Sequence, residues 1–210
     1  MTDTITIAID GPAASGKGTI ARRIAEHLNL RHLDTGSLYR GVAALVRDQG
    51  IFPSDGDAVG RIAGELTIDV LSRDDLRDAG IGNLASIVAA HPQVRSALLE
   101  WQRNFAMGGA VLDGRDIGTV ILPDATAKLF VTADADVRAA RRWRELSQTE
   151  DIAYRTVLDQ IEDRDIRDAE RAIAPMTHAQ DAALLDTTEM SIEQAVEEAL
   201  RLVDKQIKAA

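Results

Sequence analysis

The stretch Gly11-Pro12-Ala13-Ala14-Ser15-Gly16-Lys17-Gly18-Thr19 decides the fold of this chain. It reads G-x-x-x-x-G-K-G-T, which is the spacing of a phosphate-binding loop. The apolar run before it predicts a buried strand at residues 5–9, and the pattern after it predicts a helix at residues 17–28. A glycine loop between a strand and a helix is the setting that this motif requires. The sequence therefore predicts an α/β fold built around a phosphate site.

The residue types of this loop suit the triphosphate of ATP. Glycines at positions 11, 16 and 18 allow positive φ, so that backbone N–H groups converge on anionic oxygens. The dipole of the following helix adds positive potential, and Lys17 brings a full charge to the β- and γ-phosphates. The loop departs from the common pattern at Gly18, where a Ser or Thr hydroxyl usually binds Mg²⁺. Thr19 carries a hydroxyl one residue later, and our hypothesis is that it holds Mg²⁺ through a water molecule.

Composition limits the class of protein. The 210 residues are 45% hydrophobic, which predicts a single domain with a sizeable core. The absence of cysteine excludes disulfides and thiolate metal sites. The sequence shows neither a signal pattern nor an apolar run of the roughly 20 residues that span a membrane, so we expect a cytoplasmic protein. A net charge of −10 argues against binding to nucleic acid or to an anionic membrane.

Short apolar runs alternate with helical patterns along the chain, which is typical of a parallel sheet covered by helices. Strands are expected at residues 5–9, 31–33, 110–112, 127–131 and 183–185. Helices are expected at residues 17–28, 36–48, 92–106, 135–146, 152–169 and 192–208. Ser191 and Gln194 have the spacing of a capping box at the start of the last helix. Residues 51–91 interrupt the alternation, and a further strand is expected there at residues 66–71.

The helical pattern at residues 136–171 is rich in arginine. Its eight members are Arg138, Arg141, Arg142, Arg144, Arg155, Arg164, Arg167 and Arg171. Such a charged pair of helices is often a solvated face, but it also fits a lid that closes over phosphates. Arg138 and Arg142 are four residues apart and share a helix face. With Arg141, they are the candidates for contacting the ATP phosphates.

Three further segments carry polar groups next to predicted elements. They read D-T-G-S-L-Y-R at residues 34–40, D-G-R-D-I-G-T at 113–119 and R-D-I-R-D-A-E-R-A-I-A-P at 164–175. The first can start a helix with Thr35 as its cap, and Arg40 can reach an anion at the helix start. Asp113 follows an apolar run and is either a ligand of Mg²⁺ or its waters, or a turn residue before Gly114.

In this order the motifs resemble those of bacterial cytidylate kinases, which belong to the nucleoside monophosphate kinases. The resemblance runs from the first strand to the last helix. It implies a P-loop NTPase fold, with a central parallel sheet of about five strands, and the reaction of ATP with CMP or dCMP in the presence of Mg²⁺. It also implies a monomer. The implied regions are a core (1–34, 108–135 and 180–210), a monophosphate-binding region (35–107) and a lid (136–179).

The resemblance also implies roles for individual residues. The acceptor phosphate would be bound by Thr35, Arg40, Arg115 and Arg171. The cytosine would be read by Ser86, Arg95 and Asp116. The ribose would contact Arg164 and Asp168. The residues expected to carry catalysis are Lys17, Arg115, Arg138, Arg142 and Arg171.

The chain departs from many bacterial cytidylate kinases at residues 66–86, where it looks shorter by roughly one hairpin. A kinase of UMP or AMP is the nearest alternative function. Adenylate kinases usually carry D-G-F/Y-P-R where this chain has D-G-R-D at residues 113–116. A P-loop switch or an ATPase that acts on nucleic acid is a more distant alternative. The chain lacks the N-K-x-D tetrapeptide of GTPases and has no basic track.

Overall fold

A computed structural model describes residues 5–209, apart from the side chains at positions 77 and 79. Residues 1–4 and 210 of the predicted core therefore lie outside the described part. The centre of the molecule is a parallel sheet of five strands in the order β2-β3-β1-β4-β5. The strands are β1 (Thr6–Asp10), β2 (Arg31–Asp34), β3 (Ala110–Gly114), β4 (Ala127–Thr132) and β5 (Ala183–Asp186). The predicted fold class and its five strands are confirmed.

Helices cover both faces of the sheet, because alternate strand residues point to opposite sides. Ile7 and Ile9 pack with α1 (Lys17–Leu28) and α9 (Ile192–Ile207) on one face. Ala8 and Leu112 pack on the other face with α2 (Thr35–Asp48) and the helices of residues 56–106. Both side chains of the capping box at α9 make their reciprocal hydrogen bonds. No helix in residues 5–209 has the length and apolar character needed to cross a membrane.

The monophosphate-binding region of the prediction is helical. Besides α2, its α-helices are α3 (Gly56–Gly64), α4 (Ile68–Leu71), α5 (Ala79–Val88) and α6 (Pro92–Ala106). The strand expected at residues 66–71 is wrong, since this segment contains the single turn α4. The apolar side chains of Leu66, Val70 and Leu71 lie over Gly41 of α2, where the absent side chain leaves room for them. Packing onto a helix replaces the strand pairing that the sequence suggested.

A third group of helices lies beyond β4. It consists of α7 (Ala135–Leu146) and α8 (Tyr154–Glu170), which bury a small apolar cluster that includes Ala139, Val157 and Ile161. This is the segment expected to form the lid. The division of the chain into core, monophosphate-binding region and lid stays a prediction.

The strands run one or two residues further than the sequence predicted, and the added residues are polar or glycine. Asp10, Asp34 and Gly114 now end β1, β2 and β3. The carboxyl ends of parallel strands meet at one edge of the sheet, where ligands bind in open α/β folds. The sheet therefore places these residues beside the phosphate loop.

Candidate active site

The phosphate loop joins the end of β1 to the start of α1. Gly11 has φ 147°, and a side-chain carbon at this position would lie 1.9 Å from the carbonyl oxygen of Val131. Gly16 caps α1 with φ 91°. Lys17 folds over the loop and donates from Nζ to the Pro12 carbonyl at 3.3 Å. Burial lowers the pKa of Lys17 to about 7, and the nearby charge of Arg115 adds to this. A bound anion would supply the missing negative charge and restore the ammonium.

Two arginines of α7 contact the backbone of this loop. Arg138 donates to the Ala13 carbonyl at 3.3 Å and forms an ion pair with Asp165 of α8 at 2.6 Å. Arg141 donates to the Ser15 carbonyl at 3.4 Å. Arg142, the other predicted contact, pairs with Glu145 at 3.0 Å on the surface of α7. The structure thus brings Arg138 and Arg141 into contact with the backbone of the loop.

The ends of β2 and β3 bring two carboxylates together next to the loop. Asp34 and Asp113 are register partners in the sheet. Asp113 Oδ1 is 2.8 Å from His32 Nε2, and its Oδ2 lies 3.7 Å from the position a side chain on Gly18 would take. His32 stands in none of the sequence motifs, so sequence reasoning missed its contact with Asp113.

The start of α2 differs from the prediction. The capping position is held by Asp34, whose side chain makes no capping hydrogen bond, so Thr35 as the cap is wrong. Thr35 instead donates its hydroxyl to the Asp113 carbonyl at 2.8 Å, because it is already inside the first helical turn and faces the end of β3. This hydrogen bond ties the start of α2 to β3.

A cluster of cationic side chains lies across from Lys17. Arg115 donates to Asp168 at 2.8 Å, and Arg164 lies 3.8 Å from the same carboxylate. Burial would raise the pKa of Asp168, but the surrounding arginines outweigh it and hold the pKa below its usual value. Burial and the charge of Arg115 lower the pKa of Arg164 to about 10. The arginine charges therefore exceed what Asp168 can neutralise.

Several guanidinium groups in this cluster keep unused donors. Among the described residues, the buried Nε atoms of Arg40, Arg164 and Arg171 have no hydrogen-bond partner, nor has Nη2 of Arg171. Nη2 of Arg40 donates to Oδ2 of Asp34 at 2.7 Å. Buried donors without partners are costly unless a ligand pairs with them. A dianionic phosphate group supplies such acceptors, so the cluster is a candidate anion site.

A polar pocket borders the anion site. Arg95 of α6 and Asp116, which follows β3, form a buried ion pair. Ser86 of α5 is also buried. The structure thus brings Arg95 and Asp116 together, while Ser86 is joined to the site through Arg167 of α8 at 3.3 Å.

Tyr39 is a further member that the sequence analysis quoted in a motif without giving it a role. The guanidinium of Arg95 lies over its ring, 5.6 Å from the centroid. Burial raises the pKa of the Tyr39 hydroxyl to about 12, so this group stays neutral. An aromatic face against a paired arginine gives the pocket a flat, partly apolar wall.

Asp10 supports the segment that carries Asp116. Its carboxylate accepts hydrogen bonds from the backbone of Ile117 and of Gly118, both at 2.7 Å. Burial raises the pKa of Asp10 to about 6. The predicted first strand stopped at residue 9, and nothing in the neighbourhood of Asp10 pointed to a partner 107 residues away.

The fold, the phosphate loop and the facing anion site together define a P-loop kinase. The family model for cytidylate kinase matches residues 7–205, and the chain belongs to this family. A cytidylate kinase of Xanthobacter autotrophicus is 55% identical over 95% of this chain and 97% of that protein. One from Azorhizobium caulinodans is 52% identical over 95% of this chain and 98% of that protein. The resemblance inferred from the motifs is confirmed, and the chain is close in length to these relatives.

Solved structures show the same fold at low sequence identity. An uncharacterized protein from Eubacterium ventriosum matches with a TM-score of 0.57 and 17% identity, over 97% of this chain and 99% of that chain. A gluconokinase from Sinorhizobium meliloti matches with a TM-score of 0.53 and 14% identity, over 98% and 94%. At these identities the likeness concerns the fold alone.

Proposed function

We propose that this chain transfers the γ-phosphoryl group of ATP to CMP and dCMP, giving ADP and CDP or dCDP. Membership of the cytidylate kinase family and the relatives of that name support this reaction. The observation that carries the proposal is the pairing of two anion sites. The phosphate loop with Lys17 faces a cluster whose buried guanidinium donors lack partners among the described residues.

The proposed roles follow from this geometry. The loop, residues 11–19, binds the ATP phosphates, and Arg40, Arg115 and Arg171 bind the phosphate of CMP. Thr35 lies at the same helix start. An oxygen of that phosphate attacks the γ-phosphorus in line. This nucleophile is already ionised, so catalysis needs positioning and charge neutralisation rather than a general base.

The base pocket suits cytosine. Asp116 accepts from the N4 amino group, and Arg95 donates to N3 and O2. Ser86 also contacts the base, and Arg164 and Asp168 contact the ribose. The ion pair between Asp116 and Arg95 supports this role, because it orients a donor and an acceptor side by side.

The residues near the loop fit Mg²⁺ that arrives with ATP. Such an ion takes most of its ligands from phosphate and water, and one or two carboxylates suffice. Asp113 presents one carboxylate toward Gly18, and Thr19 presents a hydroxyl at the start of α1. No group of three or more His, Asp and Glu within the described ranges forms a protein cage for a metal. Mg²⁺ bound there would neutralise charge on the transferred phosphoryl group.

Two arginines of α7 have different roles in the proposed reaction. Arg138, held by Asp165, joins α8 to the phosphate loop. Arg142 approaches the ATP phosphates when the lid closes and excludes water.

We also propose a monomer that works on free nucleotides in the cytoplasm, where ATP and CMP are found. The net charge of −10 disfavours nucleic acid as a partner.

Two variants test the assignment of the two anion sites. Lys17→Met should lower kcat on the order of 10²–10³-fold, because it removes a charge that stabilises the transition state. Arg171→Met should raise the KM for CMP and leave the KM for ATP nearly unchanged. Lys205→Met and Arg201→Met, both exposed on α9, are the matched controls. Near-normal turnover by Lys17→Met, measured as ADP release, would refute the proposal.

A further inference from the structure

Arg167 is an arginine of α8 to which the proposed contacts with ATP and CMP give no role. Its Nε donates to Ser86 Oγ at 3.3 Å, and its Nη2 donates to Asn83 Oδ1 at 2.9 Å. Asn83 and Ser86 are three residues apart on α5, so they lie on one face of that helix. One guanidinium therefore connects α8 to both polar groups on this face.

The hydrogen bond from Arg167 restricts the orientation of the Ser86 hydroxyl. A guanidinium has only donors, whereas a hydroxyl has one donor and two acceptor lone pairs. Ser86 Oγ must therefore accept from Arg167, and its own hydrogen must point elsewhere. Ser86 is 3% exposed, so solvent competes little for the remaining positions around Oγ.

The orientation of a hydroxyl matters because cytosine and uracil present opposite patterns. Cytosine offers an amino donor where uracil offers the O4 acceptor. A freely rotating hydroxyl serves either pattern, since it can donate or accept. A hydroxyl held in one orientation serves one pattern better than the other.

We propose that Arg167 is a positioning residue that restricts the orientation of the Ser86 hydroxyl and thereby sets how strongly the pocket distinguishes cytosine from uracil. The inference rests on the proposed function, in which Ser86 faces the base. Arg167 stands on the helix of the predicted lid, and Ser86 stands in the predicted monophosphate-binding region. Base selection thus depends on where α8 lies.

The test compares CMP with UMP in variants of the full-length enzyme. Arg167→Met removes every donor and keeps much of the apolar stem. It should change the ratio of kcat/KM for CMP to kcat/KM for UMP on the order of 10-fold, which is the scale of one charge-assisted hydrogen bond. The change should fall on the KM values for the two monophosphates and spare the KM for ATP. Arg167→Lys, which can still donate to Ser86, should recover part of the ratio.

Two controls separate this role from a structural one. Arg155→Met changes an exposed arginine of the same helix, paired with Asp159, and should leave the ratio unchanged. In a Ser86→Ala background, Arg167→Met should alter the ratio no further, because both changes remove the same contact. Equal losses for CMP and UMP accompanied by a lower Tm would overturn the proposal.

The outcomes also distinguish this inference from the base assignment beneath it. If Ser86→Ala changes the ratio and Arg167→Met does not, the base pocket stands and the role of Arg167 is refuted. If Ser86→Ala itself leaves the ratio unchanged, the assignment of Ser86 fails and the inference fails with it.

Discussion

Asp116→Ala should damage both the stability and the base selection of this enzyme. Asp116 is 4% exposed and pairs with Arg95, which is 7% exposed. Removing one partner of a buried pair leaves an uncompensated charge, and this typically costs about 3–5 kcal/mol. Arg95 keeps the Ala89 carbonyl at 3.3 Å and the face of Tyr39, so we expect the lower end of that range.

Unfolding in denaturant, followed by circular dichroism, measures the free energy. The double variant Arg95→Met/Asp116→Leu is the control, because it removes both charges and should recover most of the stability. It should not recover base selection. A loss below about 1 kcal/mol in Asp116→Ala would refute the reasoning on the buried pair.

The same variant gives a kinetic readout. The kcat/KM for CMP should fall more than that for UMP, and the KM for ATP should change least. Asp116 accepts from the amino group that only cytosine carries. Equal losses for both monophosphates would remove Asp116 from base reading.

Two other substitutions test the support of the site. Gly11→Ala should raise the KM for ATP and lower the stability, because the new side-chain carbon would lie 1.9 Å from the Val131 carbonyl oxygen. Gly64→Ala is the control, since a side chain at position 64 would meet open space and should change neither quantity. Equal Tm and KM values for the two variants would contradict the loop geometry. Asp10 has a pKa of about 6 when folded and 3.8 as its ordinary value. At pH values between these two pKa values, the folded state binds more protons than the unfolded state. The free energy of unfolding should therefore fall by about 3 kcal/mol as the pH rises from about 4 to above 6. This fall is measured in the wild-type protein relative to Asp10→Asn, which lacks the titrating carboxyl group. Denaturant titrations across this range that show no such fall would count against the burial of Asp10.

The phosphate loop could be predicted because its chemistry lies within nine consecutive residues. The loop and the helix after it need no distant partner to be recognised. Arg164, Asp168 and Arg171 were singled out only by the family resemblance; Arg164 and Asp168 lie one turn apart on α8, and Arg171 follows its last residue.

Contacts that depend on strand order could not be predicted. Asp10 reaches Ile117 because the short π-helical turn Ile117–Ile121, which follows β3, lies at the end of β1, the neighbour of β3 in the sheet. His32 reaches Asp113 because β2 lies on the other side of β3. Neither residue belongs to a motif, and nothing local in the sequence identifies its partner.

The helices between α2 and α6 were missed for another reason. Gly80 and Gly82 in α5 weaken the intrinsic preference for helix. Ile81, Ala85 and Val88 of this helix are buried in the core that also contains α2. Tertiary packing, rather than propensity, therefore determines the structure of this segment.

The most direct test of the proposed function is ADP release, coupled to a dehydrogenase readout, with CMP, dCMP, UMP and AMP as acceptors. We expect high kcat/KM for CMP and dCMP, a lower value for UMP and no appreciable reaction with AMP. Preference for UMP or AMP over CMP would contradict the assignment of Ser86, Arg95 and Asp116 to a cytosine pocket.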